Sequence, residues 1–260
     1  MHKLRLWEKN FGGSDGEYGK SVLEAVDGGL VVAGYTNSFG NGYELYLLKT
    51  DSSGDLLWEK SFGKSSDVYR FSVVETSDGG LVVASTLSSH GQVYLLKTDS
   101  SGNLLWEKNF GGSSSDSGYS IVETADGGLV VTGDTSSFGN NRQVYLLKTD
   151  SNGNLLWEKN FGGSDNDQGL SVIETSDGGL IVTGLTNSFG DISQVYLLKT
   201  DSNGDVLWEK NFGDFTTGCG LDVVEITGGA LVLTGHTSGI PLVYMIWTDS
   251  EGNGISEPGW

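Results

Sequence analysis

The chain has 260 residues and a formal net charge of −19, from 34 acidic and 15 basic side chains. That balance excludes a nucleic-acid partner, because phosphate binding draws on clustered Lys and Arg. No apolar run approaches the length of a membrane span, which argues against membrane insertion, and a lone Cys219 excludes an internal disulfide and a multi-cysteine zinc site.

The opening "MHKLRLWEKNFGG" lacks the long apolar core of a signal peptide and begins inside a repeat unit, so a leader or neighbouring segment is expected to have been trimmed. "WEKNFGG" or a close variant starts at Trp7, Trp58, Trp106, Trp157 and Trp208, at spacings of 51, 48, 51 and 51. The units run over about 4–54, 55–102, 103–153, 154–204 and 205–254, with a tail at 255–260. In the copy after Trp157, "LSVIET" (170–175) reaches the turn "SDGG", and "LIVTGLT" (180–186) leads into the loop "NSFGDIS". "QVYLLKTD" (194–201) then runs to "DSNG", and "DVLWEKNF" (205–212) closes the unit. The runs are rich in Val, Ile, Leu, Thr, Tyr and Trp, are bounded by turn residues, and show no helical spacing.

Four strands and about 50 residues cannot bury both faces of a sheet, so each unit must lean on its neighbours. The sequence therefore predicts an all-β, five-bladed β-propeller with four antiparallel strands per blade. The first segment, "LRLWEKNF", is an outer strand with nothing before it, and the last unit lacks one. The N-terminal strand is expected to complete the last blade and close the ring. The Trp and Phe of "WEKNF" share a face and are expected to pack between blades. Gly34, Gly133, Gly184 and Gly235, in the second strand of their units, fit a place where backbones crowd.

The string "FGGSDNDQGLSVIETSDGGLIVTGLTNSFG…QVYLLKTDSNGDVLWEKNF" resembles the glycine-rich β-propeller repeats of bacterial and archaeal surface and secreted proteins, including SBBP repeats. The resemblance spans Leu4 to about Gly254. The fifth unit departs from it, with "TGG" for "DGG", "SGIP" for the "SFG" loop and "MIWT" for "LLKT", and the second reads "SSHG". The resemblance implies an extracytoplasmic scaffold or binding role.

The short "DGG" and "DSNG"-type turns read as hairpins whose glycines take positive φ. "DSNGN" also looks like the start of a calcium loop, but the downstream bidentate Glu is absent. The longer, variable loops share the opposite end, where binding tends to reside. There Glu17, Val68, Asp116, Asp167 and Gly218 occupy one equivalent position. Glu17, Asp116 and Asp167 either meet a cation or a sugar hydroxyl, or hold the amides of their own loops. Phe39, Phe138 and Phe189 either stack on a ligand ring or tuck against their own blade.

The Glu of the first strand and the Lys of "LLK" recur in nearly every unit and suit a structural ladder. Cys219 and His236 make the sharpest enzymatic pair, without an evident orienting partner. His2, His90 and His236 are a poor metal set, and no phosphate-binding loop or cofactor motif is present. The leading expectation is a non-catalytic binding propeller without a cofactor, its partner a glycan or surface protein at the variable-loop face. A purely structural spacer or a recently amplified or engineered repeat array, supported by the near identity of units three and four, and a glycan-acting enzyme are the rivals.

Overall fold

A computed structural model describes residues 7–40, 42–65, 68–87, 91–139, 141–190, 192–213, 218–237 and 243–254. They form nineteen strands in five antiparallel sheets. The first sheet holds β1 (Glu17–Glu24), β2 (Leu30–Thr36), β3 (Tyr43–Thr50) and β4 (Leu56–Ser65). The second holds β5 (Val68–Glu75), β6 (Leu81–Leu87), β7 (Gln92–Thr98) and β8 (Leu104–Phe110). β9 (Asp116–Glu123), β10 (Leu129–Thr135), β11 (Gln143–Thr149) and β12 (Leu155–Phe161) make the third. β13 (Asp167–Glu174), β14 (Leu180–Thr186), β15 (Gln194–Thr200) and β16 (Val206–Phe212) make the fourth. The fifth has β17 (Gly218–Glu225), β18 (Leu231–Thr237) and β19 (Val243–Thr248). Within each sheet the strands pair in chain order, and the first strands β1, β5, β9, β13 and β17 each contact the next in turn.

The apolar cores lie between sheets. One cluster joins Val31, Ala33, Leu45 and Leu47 of the first sheet to Phe71, Val73, Leu81 and Val83 of the second, with Trp58 and Phe62 against it. The same slots recur at the next three junctions, where Trp106, Trp157 and Trp208 pack alongside. Each Trp also covers a turn of the following sheet. A Cβ on Gly204 would lie 2.9 Å from the Trp157 ring, and Gly204 sits at φ +76°. In β14 the crowding comes from the sheet's own first strand, since a Cβ on Gly184 would fall 1.8 Å from the Gln168 carbonyl oxygen. The second sheet is the exception: Ser85 stands in that slot, and β5 shifts register between Val68 and Phe71 to face it.

Polar ties repeat with the cores. Lys49, Lys97, Lys148 and Lys199 are buried along their stems and reach Asp27, Asp78, Asp126 and Asp177 of the "DGG" turns at 2.5–2.7 Å. The first-strand Glu does not join this ladder. Glu123, Glu174 and Glu225 each accept a backbone N–H, at 2.8 Å, from the turn of the preceding sheet. In the fifth sheet the register places Gly228 in the Asp slot, and Trp247 takes the Lys slot. Both partners are lost together, which avoids stranding a buried ammonium.

The two ends of the array differ from its middle. Val22 is 65% exposed, whereas its counterparts Val73, Ile121, Val172 and Val223 are at most 9% exposed. Val243, Met245 and Trp247 are exposed where Val195, Leu197 and Lys199 are buried. Residues 7–11 form no strand and pair with no strand of the fifth sheet among the described residues. Trp7 nevertheless lies against the Gly54 turn as Trp157 lies against Gly204, and Lys9 meets Asp55 at 2.6 Å as Lys159 meets Asp205 at 2.7 Å. The expected fourth strand of the last blade thus stands beside the first sheet without a ladder to β19.

Replacing Trp157 with Ala is expected to cost about 2 kcal/mol in urea unfolding, below the roughly 3–5 kcal/mol of a fully buried Trp, because the ring is half-buried. The Lys–Asp pairs set an acid limit. Lys97 and Lys148 hold Asp78 and Asp126 down to about 2. A depressed folded pKa makes the ionised form the stabilising one, so this contribution is whole above about pH 4 and vanishes as pH falls through about 2. Thermal melts should therefore weaken across that window, and Asp126→Asn should flatten the dependence.

Candidate ligand-binding site

The three predicted acids open strands instead of lying in loops. Asp116 and Asp167 are fully buried. Asp167 accepts hydrogen bonds from the Thr186 hydroxyl, from Ser188 Oγ at 2.7 Å and from the Gly163 amide at 2.9 Å. Asp116 repeats the knot with Thr135, Ser137 and Gly112. Glu17 repeats it with Thr36, Ser38 and Gly13 and is lowered chiefly by the Ser38 hydroxyl. Each knot ties a first strand, the end of the second strand and the following loop within one blade, which accounts for the "T-x-S" spelling of those loops. Val68 and Gly218 cannot supply a carboxylate, and the loops at 66–67, 88–90, 214–217 and 238–242 lie outside the described residues.

Phe39, Phe138 and Phe189 pack on Tyr46, Tyr145 and Tyr196 of their own blades, with ring centroids 5.8, 5.9 and 6.0 Å apart. Those tyrosines donate to Glu59, Glu158 and Glu209. The outer face of each Phe remains exposed. Cys219 and His236 are cross-strand neighbours in backbone register, but the His236 side chain lies outside the described residues. Burial pushes the Cys219 thiol up, which keeps it protonated and poorly nucleophilic. The "DSNGN" aspartates serve their turns: Asp150 Oδ1 accepts from the Asn152 amide at 2.8 Å and the Asn154 amide at 2.9 Å. Among the described residues no three His, Cys, Asp or Glu side chains converge as a metal set.

One asymmetric constellation lies elsewhere. Asp134 sits in β10, in the slot held by Tyr35, Thr86, Leu185 and His236 in the other blades, and its side chain is only 2% exposed. It accepts from the Tyr119 hydroxyl and from Gln168 Nε2 at 3.3 Å, and pairs with Arg142 Nε at 3.1 Å. The Arg70 guanidinium lies 4.3 Å over the Tyr119 ring. Burial raises Asp134, opposed by Tyr119 and both arginines. Tyr119 is pushed up to about 12 by burial and by the neighbouring carboxylate. The chain has three arginines, and two of them meet here.

Arg142 and Gln168 also line a cleft of about 480 Å³ between the third and fourth blades, with Ser136, Asn141, Asn166, Leu185 and Asn187. Its walls are braced across the junction. The Asp167 amide donates to the Arg142 carbonyl at 2.8 Å, and Gln143 Nε2 to the Gly163 and Asp165 carbonyls at 3.1 Å, while within the fourth blade the Asn187 amide donates to the Asn166 carbonyl at 3.0 Å. Every lining residue stands at a position where units three and four differ: Asn166 against Ser115, Gln168 against Ser117, Leu185 against Asp134, Asn187 against Ser136, and Asn141 and Arg142 against Ile192 and Ser193. That disagreement between near copies, and a charged "D" within a second strand, were the signals in the sequence.

A family model described as a β-propeller domain of unknown function (DUF5122) matches residues 124–155. No curated protein matches the chain in sequence. Among solved structures, a mutant of the NanB sialidase from Streptococcus pneumoniae is similar at TM-score 0.55 and 14% identity, over 80% of this chain and 36% of that one. The Pan2 WD40 domain of Neurospora crassa is similar at 0.55 and 13%, over 92% and 65%. A Penicillium chrysogenum α-L-arabinanase, complexed with arabinobiose, is similar at 0.54 and 11%, over 92% and 85%. The fold is that of a β-propeller. The chain spans less than two thirds of the sialidase and Pan2 chains, and at such identities the likeness is one of fold alone.

The acid knots give a stability prediction. Asp167→Ala leaves two hydroxyls and an amide without their acceptor and is expected to cost about 1–3 kcal/mol by urea midpoint.

Proposed function

We propose that this chain is a non-catalytic binding propeller whose ligand, a glycan, seats in the cleft between the third and fourth blades. The observation that carries this reading is the lining itself. Three Asn, one Gln, one Ser and one Arg present amide, hydroxyl and guanidinium groups around a cleft of about 480 Å³, with a single Leu. Each of these amides has one end engaged within the protein, which orients the other end, Asn141 Oδ1, Asn166 Nδ2, Asn187 Nδ2 or Gln168 Oε1, for a sugar hydroxyl. Asp134 is spent on holding Arg142, Tyr119 and Gln168, which favours binding over acid–base chemistry. A spacer would have no use for the concentration of differences between units three and four at this one place. In this reading the domain belongs outside the cytoplasm, an assignment that the resemblance to SBBP-type repeats supports. An Asn166→Ala/Asn187→Ala variant should lose at least about tenfold in affinity for the glycans that the parent retains on an array, and an array without any retained glycan would remove the reading.

The scaffold in this reading is a closed five-bladed ring. Residues 7–11 become the fourth strand of the last blade in the register that β15 takes with β16, placing Trp247 opposite Trp7 and Met245 opposite Lys9. Two features support it: Trp7 and Lys9 already occupy the place of a preceding outer strand, and Val22, Met245 and Trp247 are the slots buried at the other junctions. A Lys9→Cys/Met245→Cys pair in a Cys219→Ser background should oxidise within one chain, since opposed strand residues lie within disulfide reach. A disulfide-linked dimer, or no bond, would mean that the ends do not meet in this register.

A further inference from the structure

We propose that the cleft between the third and fourth blades takes an acidic saccharide and that Arg142 reads its carboxylate. This rests on the binding role assigned to the cleft above and names the class of ligand.

Arginine is scarce in this chain, yet Arg142 and Arg70 both approach Asp134 and Tyr119. Arg142 Nε lies 3.1 Å from the Asp134 carboxylate in an ion pair, and the carboxylate is itself held by Tyr119 and Gln168. Neither terminal nitrogen of Arg142 hydrogen-bonds a described residue, and the side chain is 46% exposed at the cleft wall. A guanidinium paired with a buried carboxylate on its Nε side, its two terminal nitrogens facing the cleft, presents a fork that matches a carboxylate.

The charge balance points the same way. Among the described residues no acidic side chain lines the cleft, although the chain carries 34 acids. Arg70 and Arg142 bring two guanidinium groups to this wall within a molecule of net charge −19. The flanking carboxylates of Asp116 and Asp167 are held by their own hydroxyl and amide donors, whereas the Arg142 guanidinium faces the cleft and suits an anion. Asn141 donates to the Ser164 carbonyl, Asn166 accepts from the Arg142 amide at 3.2 Å and Asn187 accepts from the Ser193 hydroxyl, which leaves Asn141 Oδ1 and the Nδ2 groups of Asn166 and Asn187 for sugar hydroxyls.

The test uses the full chain on an array that carries uronic- and sialic-acid glycans beside neutral ones. The tightest acidic binder is then titrated calorimetrically next to its methyl ester, which keeps the ring and removes the charge. The acid is expected to bind at least about tenfold tighter than the ester, the loss of one charge-assisted fork. Arg142→Gln should bring the two to equal affinity. Because that change strands the buried Asp134, the Asp134→Asn/Arg142→Gln variant is measured in parallel, with a thermal melt to show that it folds. Equal binding of acid and ester by the parent, or an acid preference that survives in the folded double variant, overturns the carboxylate inference and leaves the glycan reading in place. Binding of no glycan at all overturns both.

Discussion

Each sheet of this protein is too thin to shelter its own apolar residues, and everything else follows from that constraint. Alternate residues of a strand point to opposite faces, so Val31, Ala33, Leu45 and Leu47 can leave water only against a neighbouring sheet. The cores accordingly sit at the junctions, built four times from the same slots. Stability in such an array is a sum of near-identical nearest-neighbour contacts. A repeated sequence is the economical way to specify it, because one interface solved is every interface solved.

The polar repeats serve the same end. A first-strand Glu caps the turn of the sheet before it, a Lys runs its stem through the core edge to an Asp turn, and a buried acid ties a strand end to its loop. Buried charges of this kind survive only with partners present. The fifth sheet obeys the rule by exception, since Gly228 and Trp247 replace both members of the pair at once. Trp247 enlarges the apolar surface at the trailing face of the fifth sheet, where it is exposed.

Function in a repeat protein has to come from the positions where the units disagree. Most slots here are committed to the interfaces, which leaves the loop end and the strand residues beside it. At the third junction the departures accumulate: Asp134 for an uncharged residue, Arg142 for Ser, Asn166 and Gln168 for serines. Together they convert one groove among several into a braced polar cleft with a fixed guanidinium.

The sequence by itself determined the strands, the turns and the unit boundaries, because a two-residue apolar period and Asp-Gly turns act within a few residues. It placed β14 at Leu180–Thr186, as found, and misjudged β13, which begins at Asp167 because its carboxylate is buried by the Thr186 and Ser188 hydroxyls. It also made Glu17, Asp116 and Asp167 candidates for a ligand, since an acid at a loop mouth looks alike whether it faces solvent or its own hydroxyls. Only the tertiary structure decided that those acids are occupied and that Asp134 is the asymmetric one. Arg70, Tyr119, Asp134, Arg142 and Gln168 come from three different units, so no one line of sequence shows them together. Packing of one sheet on the next brings them within hydrogen-bond and cation–π reach, and distance along the chain carries no trace of that approach.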